Sequence, residues 1–166
     1  MLKYFSTFFL SILISIGSTI EIFAENSKKT SPPTQKQTLF GKWALNCPEN
    51  QKCRIAQTII HKQTEQTVVI ARVFKDKTGV LVLSLPKGIF LAPGVSLRID
   101  KGKLIRYPFE TCDESGCHTG LKLSKKLLSS LKRGTQASVI FYDSHQKPVL
   151  ANLSLEGFTK AYAALK

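Results

Sequence analysis

The sequence predicts a mainly all-β fold, a β-sandwich carrying two short helices. Short apolar runs recur at spacings of roughly 8 to 12 residues with turn formers between them, the rhythm of antiparallel strands joined by tight connections. The four cysteines fall in two close pairs, each spanning a turn. A helical period is confined to two stretches, one near 124–133 and one at the C-terminus.

The chain opens on residues 1–24, with one positive charge at Lys3, an apolar run from Phe5 to Ile20, and Ala24 behind Ile22-Phe23 as a cleavage point. This is the pattern of a secretory signal peptide. The run is short for a membrane span and Glu21 interrupts its far end. An uncleaved N-terminal anchor is the alternative, because Ile22 is not an ideal residue before a cleavage site. Cleavage leaves about 142 residues, the length of one domain. Residues 25–37, E-N-S-K-K-T-S-P-P-T-Q-K-Q, contain no apolar side chain. They cannot bury surface to offset their ordering entropy and are expected to be a flexible Pro/Lys linker. The single sandwich domain then runs over 38–166.

From Leu39 the character changes. Trp43, Leu45 and Cys47 alternate on one face, and Ile55–Ile60 follows as the second strand of a hairpin. Thr67–Phe74 and Val80–Leu85 are rich in Val, Ile and Leu and are joined by the turn K-D-K-T-G; their near-continuous hydrophobicity predicts central strands buried on both faces. Pro86-Lys87-Gly88 and Ala92-Pro93-Gly94 punctuate the chain around Ile89-Phe90-Leu91. Val95, Leu97 and Ile99 alternate again, and Asp100-Lys101-Gly102-Lys103 turns the chain into a strand expected over Leu104–Cys112. Ser124 is a suitable N-cap for a helix with Leu127, Leu128 and Leu131 on one face, and Gly134 is its stop. Ala137–Tyr142 and Val149–Leu155 form a last hairpin, after which Phe158, Ala161, Tyr162 and Leu165 mark a helical face that docks on a sheet.

Cys47 and Cys53 flank P-E-N-Q-K, and Cys112 and Cys117 flank D-E-S-G. Four cysteines permit three connectivities, and these spacings favour sequential pairing, which closes two tight loops worth about 2 kcal/mol each in the chain-entropy model. The crossed pairings would need two distant hairpin tips to meet. Such staples persist in an oxidising compartment. The neighbouring His118 invites a metal or haem reading, but haem attachment needs two residues between cysteines and zinc needs four convergent donors. His118 is therefore expected to be an exposed hairpin residue. A C-x-x-C redox motif is also absent.

Removing the signal peptide leaves 23 basic and 10 acidic residues, so the net charge of +13 belongs to the mature chain. Polyanions are its natural partners. Export moves the expectation from nucleic acid, which is not anticipated, to lipopolysaccharide, anionic lipid headgroups and acidic host glycans, with peripheral membrane association following from the same charge. Lys122, Lys125, Lys126, Lys132 and Arg133 gather around the first helix as the candidate polyanion-binding group, and Lys101, Lys103 and Arg106 around one hairpin.

No catalytic, cofactor-binding or metal-binding residue is assigned. Lys77-Thr78-Gly79 and Ser84-x-x-Lys87 match fragments of the serine β-lactamase signature, but the serine follows K-T-G instead of preceding it and runs into a proline, and S-D-N is absent. Three histidines, at 61, 118 and 145, sit in polar or turn-like contexts, and neither H-E-x-x-H nor G-x-S-x-G occurs.

A set of matching positions runs through the mature domain: Gly41-x-Trp43 followed by Cys47 and Cys53; Leu85-Pro86-x-Gly88; Leu91-x-x-Gly94-Val95-x-Leu97-x-Ile99-Asp100; Tyr107, Cys112 and Gly116-Cys117; Gly134; and Ser154-Leu155-x-Gly157-Phe158-x-x-Ala161. In this combination the chain resembles the invasion-associated locus B family from about Phe40 to Lys166. The resemblance implies an exported bacterial envelope protein with an immunoglobulin-like sandwich, in a family named for host-cell entry, notably of erythrocytes. It implies no reaction, cofactor or catalytic residue, so the matched cysteines, glycines and aromatics are fold-makers. The expectation is a non-enzymatic envelope protein, periplasmic or outer-membrane-associated, that supports invasion through surface recognition. Host contact would further need surface exposure or secretion. The rival expectations are a general periplasmic maintenance or stress factor and a hydrolase with an unrecognised site.

Overall fold

Turn residues divide the apolar runs into twelve strands and two helices across residues 37–75 and 77–166, the part of the chain that the computed structural model describes. The expected signal peptide and almost all of the expected linker lie outside the described residues. The first sheet has seven strands. It contains β1 (Thr38–Phe40), β2 (Trp43–Asn46), β3 (Arg54–Ile60), β4 (Thr67–Phe74) and β5 (Val80–Leu85) in chain order. The second sheet holds β6 (Ile89–Phe90), β7 (Val95–Ile99) and β8 (Ile105–Tyr107). The chain then returns to the first sheet as β9 (Thr111–Asp113) and β10 (Gly116–Lys122), passes through α1 (Lys125–Arg133), and completes the second sheet with β11 (Gln136–Asp143) and β12 (Pro148–Ser154) before α2 (Phe158–Ala164). The large sheet runs β1-β2-β3-β4-β5-β10-β9 and the small one β12-β11-β7-β8, with β6 paired to the far end of β11. Every pairing is antiparallel, so the fold is a β-sandwich with two short helices.

The core lies between the sheets. Ile55, Val69, Val73, Leu81, Leu83 and Leu121 from the large sheet meet Val95, Leu97, Val139, Phe141 and Leu153 from the small one. Each fully buried side chain of this size contributes about 1.5–3 kcal/mol over an exposed one. Phe158 of α2 meets the Trp43 indole edge-on, with ring centroids 5.1 Å apart, and Ala161, Tyr162 and Leu165 follow it inward, as the helical period requires. Ser124 caps α1, its Oγ accepting from the Leu127 amide.

Two local expectations need correction and two others gain detail. The first hairpin is preceded by another, because the chain turns at Gly41-Lys42 and pairs β1 with β2, which leaves Leu39 71% exposed. Strands β4 and β5 are central, but only one face of each is fully buried: Val69, Ala71 and Val73 point inward, whereas Val68, Ile70, Arg72 and Phe74 are half-buried on the outer face. The expected strand Leu104–Cys112 is two strands in different sheets. Pro108 separates them, since it offers no amide to continue a ladder. Gly94 lies against this crossover with φ +69°, and a Cβ there would stand 2.3 Å from the Tyr107 carbonyl oxygen. Gly134 stops α1 as expected, in extended geometry (φ −73°) and not as a left-handed cap. Glycine fits for want of space, because a Cβ would fall 2.6 Å from Ile99 Cγ2 and 2.9 Å from Leu155 Cδ1.

Candidate functional site

Strand β8 is the last of the small sheet, and α1 bridges from the end of β10 to the start of β11. Between the β7–β8 hairpin and α1 the sandwich stays open, leaving a cleft of about 640 Å³. Its floor is apolar. Leu97 and Ile99 come from β7, Ile105 and Tyr107 from β8, and Leu127 from α1. Ile105 lies directly opposite Leu97 in the ladder, so the two side chains share the inward face of the sheet. Yet Leu97 is 1% exposed and Ile105 46%. The large sheet covers the first and does not reach the second.

The rim is cationic. Lys101 and Lys103 come from the β7–β8 turn, Lys122 from the end of β10, and Lys126 and Arg133 from α1. None of these five forms an ion pair within 4 Å among the described residues. The one acid on the cleft, Asp100, is already engaged: its carboxylate accepts from the Thr135 hydroxyl at 2.7 Å and from the Gln136 and Thr135 amides at 3.0 and 3.1 Å. The Thr135 hydroxyl first, and then these amides, hold its pKa below the ordinary aspartate value. Burial shifts the Tyr107 phenol the other way, above its ordinary value.

Two basic groups that are separate in sequence therefore meet here, and each loses members. Lys125 does not line the cleft. Lys132 turns to the opposite side of α1, where its ammonium stands 5.1 Å from the centroid of the Tyr162 ring. Arg106 alternates away from Ile105 and Tyr107 and is exposed. The apolar floor was invisible as a site, since inward periodicity reads as core whether or not a partner sheet covers it.

The structure joins Cys47 to Cys53 and Cys112 to Cys117. The second pair faces itself across the β9–β10 hairpin, and beside it His118 is not an exposed hairpin residue. Its ring is 18% exposed, with Nδ1 2.9 Å from Ser84 Oγ on β5 and Nε2 3.2 Å from Asp113 Oδ1. Arg72 donates to the same Ser84 Oγ at 2.9 Å. With His118 neutral, the Ser84 hydroxyl donates to Nδ1 and Nε2–H donates to Asp113, which satisfies every member of the line. The Ser115 hydroxyl first, then His118 and the Ser115 amide, draw the Asp113 carboxyl down to about 2. The order Ser–His–Asp is that of a hydrolytic triad, but the setting differs. Ser84 is 6% exposed in mid-strand, its oxygen is occupied by a guanidinium, and it lies off the cleft. The line tethers the disulfide hairpin to β5. Among the described residues no group of three or more His, Cys, Asp or Glu could hold a metal ion, and no helix is long and apolar enough to cross a membrane.

Comparison with known proteins places the chain. Residues 43–166, which hold both disulfides, the cleft and α2, match the family described as Invasion associated locus B (IalB) protein. The chain belongs to the invasion associated locus B family. It is 33% identical over 132 residues to an invasion protein B homolog of Brucella abortus (strain 2308), a match spanning 75% of this chain and 76% of that protein. The corresponding homolog of Brucella abortus biovar 1 (strain 9-941) gives the same values. The crystal structure of invasion associated protein B from Bartonella henselae superposes with a TM-score of 0.68 at 24% identity, covering 77% of this chain and 94% of that one. The sandwich is thus the fold of the locus B family, with the cleft at its open edge.

Proposed function

We propose that this locus B protein is a non-enzymatic envelope protein that supports host-cell invasion by engaging anionic surfaces through the cationic cleft. Family membership supports the role in invasion, and the two disulfides support an exported protein. The observation that carries the binding mode is the convergence of Lys101 and Lys103 with Lys122, Lys126 and Arg133 on one opening, with no acid free to neutralise them. Closely spaced cations meet a multivalent anion at high effective concentration, which scattered charges do not.

The test is binding to lipopolysaccharide and to sialylated erythrocyte membranes across a salt series. Neutralising the five rim cations to Gln should weaken binding far more than neutralising Lys62, Lys87, Lys147, Lys160 and Lys166. Parent binding should fall steeply as the Debye length shrinks from about 10 Å at 0.1 M to about 3 Å at 1 M. Equal loss in the two variants, or salt-insensitive binding, sinks the proposal. Binding to lipopolysaccharide without erythrocyte membranes favours an envelope-maintenance role and removes direct host contact.

A further inference from the structure

We infer that the cleft takes a long-chain anionic amphiphile, the acyl chain lying between the sheets and the headgroup held at the cationic rim. The inference rests on the cleft being the binding site and adds the class of ligand. A polyanion such as a charged glycan needs the rim alone and gains nothing from the floor. The floor nevertheless consists of Leu97, Ile99, Ile105 and Leu127, and Ile105 points inward while remaining 46% exposed. An inward apolar side chain that the facing sheet leaves uncovered is stabilised by any apolar guest that displaces water from it.

Size and charge agree. The volume of about 640 Å³ falls within the range of roughly 300–1,000 Å³ typical of small-molecule sites. Five cations stand against one acid whose oxygens are occupied, so the headgroup is negative. The long Lys side chains lay their methylenes along the apolar walls while the ammonium groups stay at the water boundary, which suits a headgroup that remains partly solvated. Carboxylate and phosphate share this chemistry, and both are tested.

The experiment is isothermal titration of the oxidised protein recovered after export, with palmitate, palmitoyl lysophosphatidate, neutral monopalmitin and chain-free heparin. Palmitate, lysophosphatidate or both should bind, and the tighter one assigns the headgroup. Monopalmitin should bind at least roughly tenfold more weakly than that lipid, the loss expected for a charge-assisted contact. Ser130→Trp fills the cleft from α1 and leaves every cation in place; it should weaken lipid binding by roughly tenfold or more, since each buried methylene contributes about a fourfold factor, and should leave heparin binding unchanged. Ile105→Asn, at a half-exposed position, should do the same and serves if Ser130→Trp fails to fold. Neither anionic lipid binding, monopalmitin binding as tightly as they do, or unimpaired lipid binding by both cleft variants overturns the inference. Heparin binding without lipid binding overturns the inference and leaves the polyanion reading standing, whereas lipid binding without heparin or lipopolysaccharide does the reverse.

Discussion

The Gln57 side chain pairs with the backbone of Ser154 as a neighbouring strand would. Its Nε2 donates to the Ser154 carbonyl at 2.9 Å and its Oε1 accepts from the Ser154 amide at 2.8 Å, while Trp43 Nε1 donates to the same carbonyl at 2.9 Å. A residue of β3 in the large sheet thereby closes the outer edge of β12 in the small one. One edge of the sandwich is sealed by hydrogen bonds and the opposite edge is the cleft. Gln57→Leu keeps the volume and leaves the half-buried Ser154 amide without this partner, so stability should fall by about 1–3 kcal/mol. Urea unfolding with an unchanged m-value checks this, and binding at the distant cleft should not change.

The tether of the disulfide hairpin should respond to acid. Folding lowers the Asp113 carboxyl from 3.8 to about 2, so its contribution to stability is complete above the ordinary value and fades as pH falls through that window. Asp113→Asn should flatten the pH dependence of the unfolding midpoint between those values and lower the midpoint near neutrality, where the carboxylate contributes fully. A variant that retains the full acid dependence would contradict the assignment to Asp113.

Ser84→Ala takes a partner from both Arg72 and His118, which are half-buried, and should cost about 1–3 kcal/mol. The same serine provides a test of hydrolase chemistry. A fluorophosphonate probe should leave it unlabelled, because its oxygen is buried and held by a guanidinium. Labelling at Ser84 that disappears in Ser84→Ala would reinstate a hydrolase.

Gly134→Ala should destabilise the fold by about 1–3 kcal/mol through overpacking against Ile99 and Leu155. Gly94→Ala should cost more, since it adds left-handed backbone strain to a contact with the Tyr107 carbonyl that cannot yield like a side chain. Thermal unfolding of the two variants side by side gives the order.

Features governed by neighbours in the chain were legible. Turn residues at 100–103 and 143–148 placed the β7–β8 and β11–β12 hairpins, Ser124 placed the start of α1, and the alternation of Trp43 and Leu45 placed β2 against β3. The crossover at Pro108 was not, because Ile105, Tyr107 and Phe109 keep a strand period straight through a residue where the chain changes sheets. Charge clustering marked Lys122, Lys126 and Arg133, but their meeting with Lys101 and Lys103 depends on how α1 lies over the β7–β8 hairpin, which no local pattern encodes. His118 misled for a similar reason: its polar surroundings in sequence suggested exposure, whereas β5 supplies Ser84 from 34 positions away.

One disulfide closes the β2–β3 loop and the other the β9–β10 hairpin, both on the large sheet, at sequence separations of 6 and 5, and neither links the two sheets. Each pair can therefore form as soon as its second cysteine emerges into an oxidising space, before any of the residues that build the small sheet's last two strands have arrived. Oxidation in order of emergence gives the native connectivity directly, so maturation is expected to need a thiol oxidase and no disulfide-shuffling isomerase.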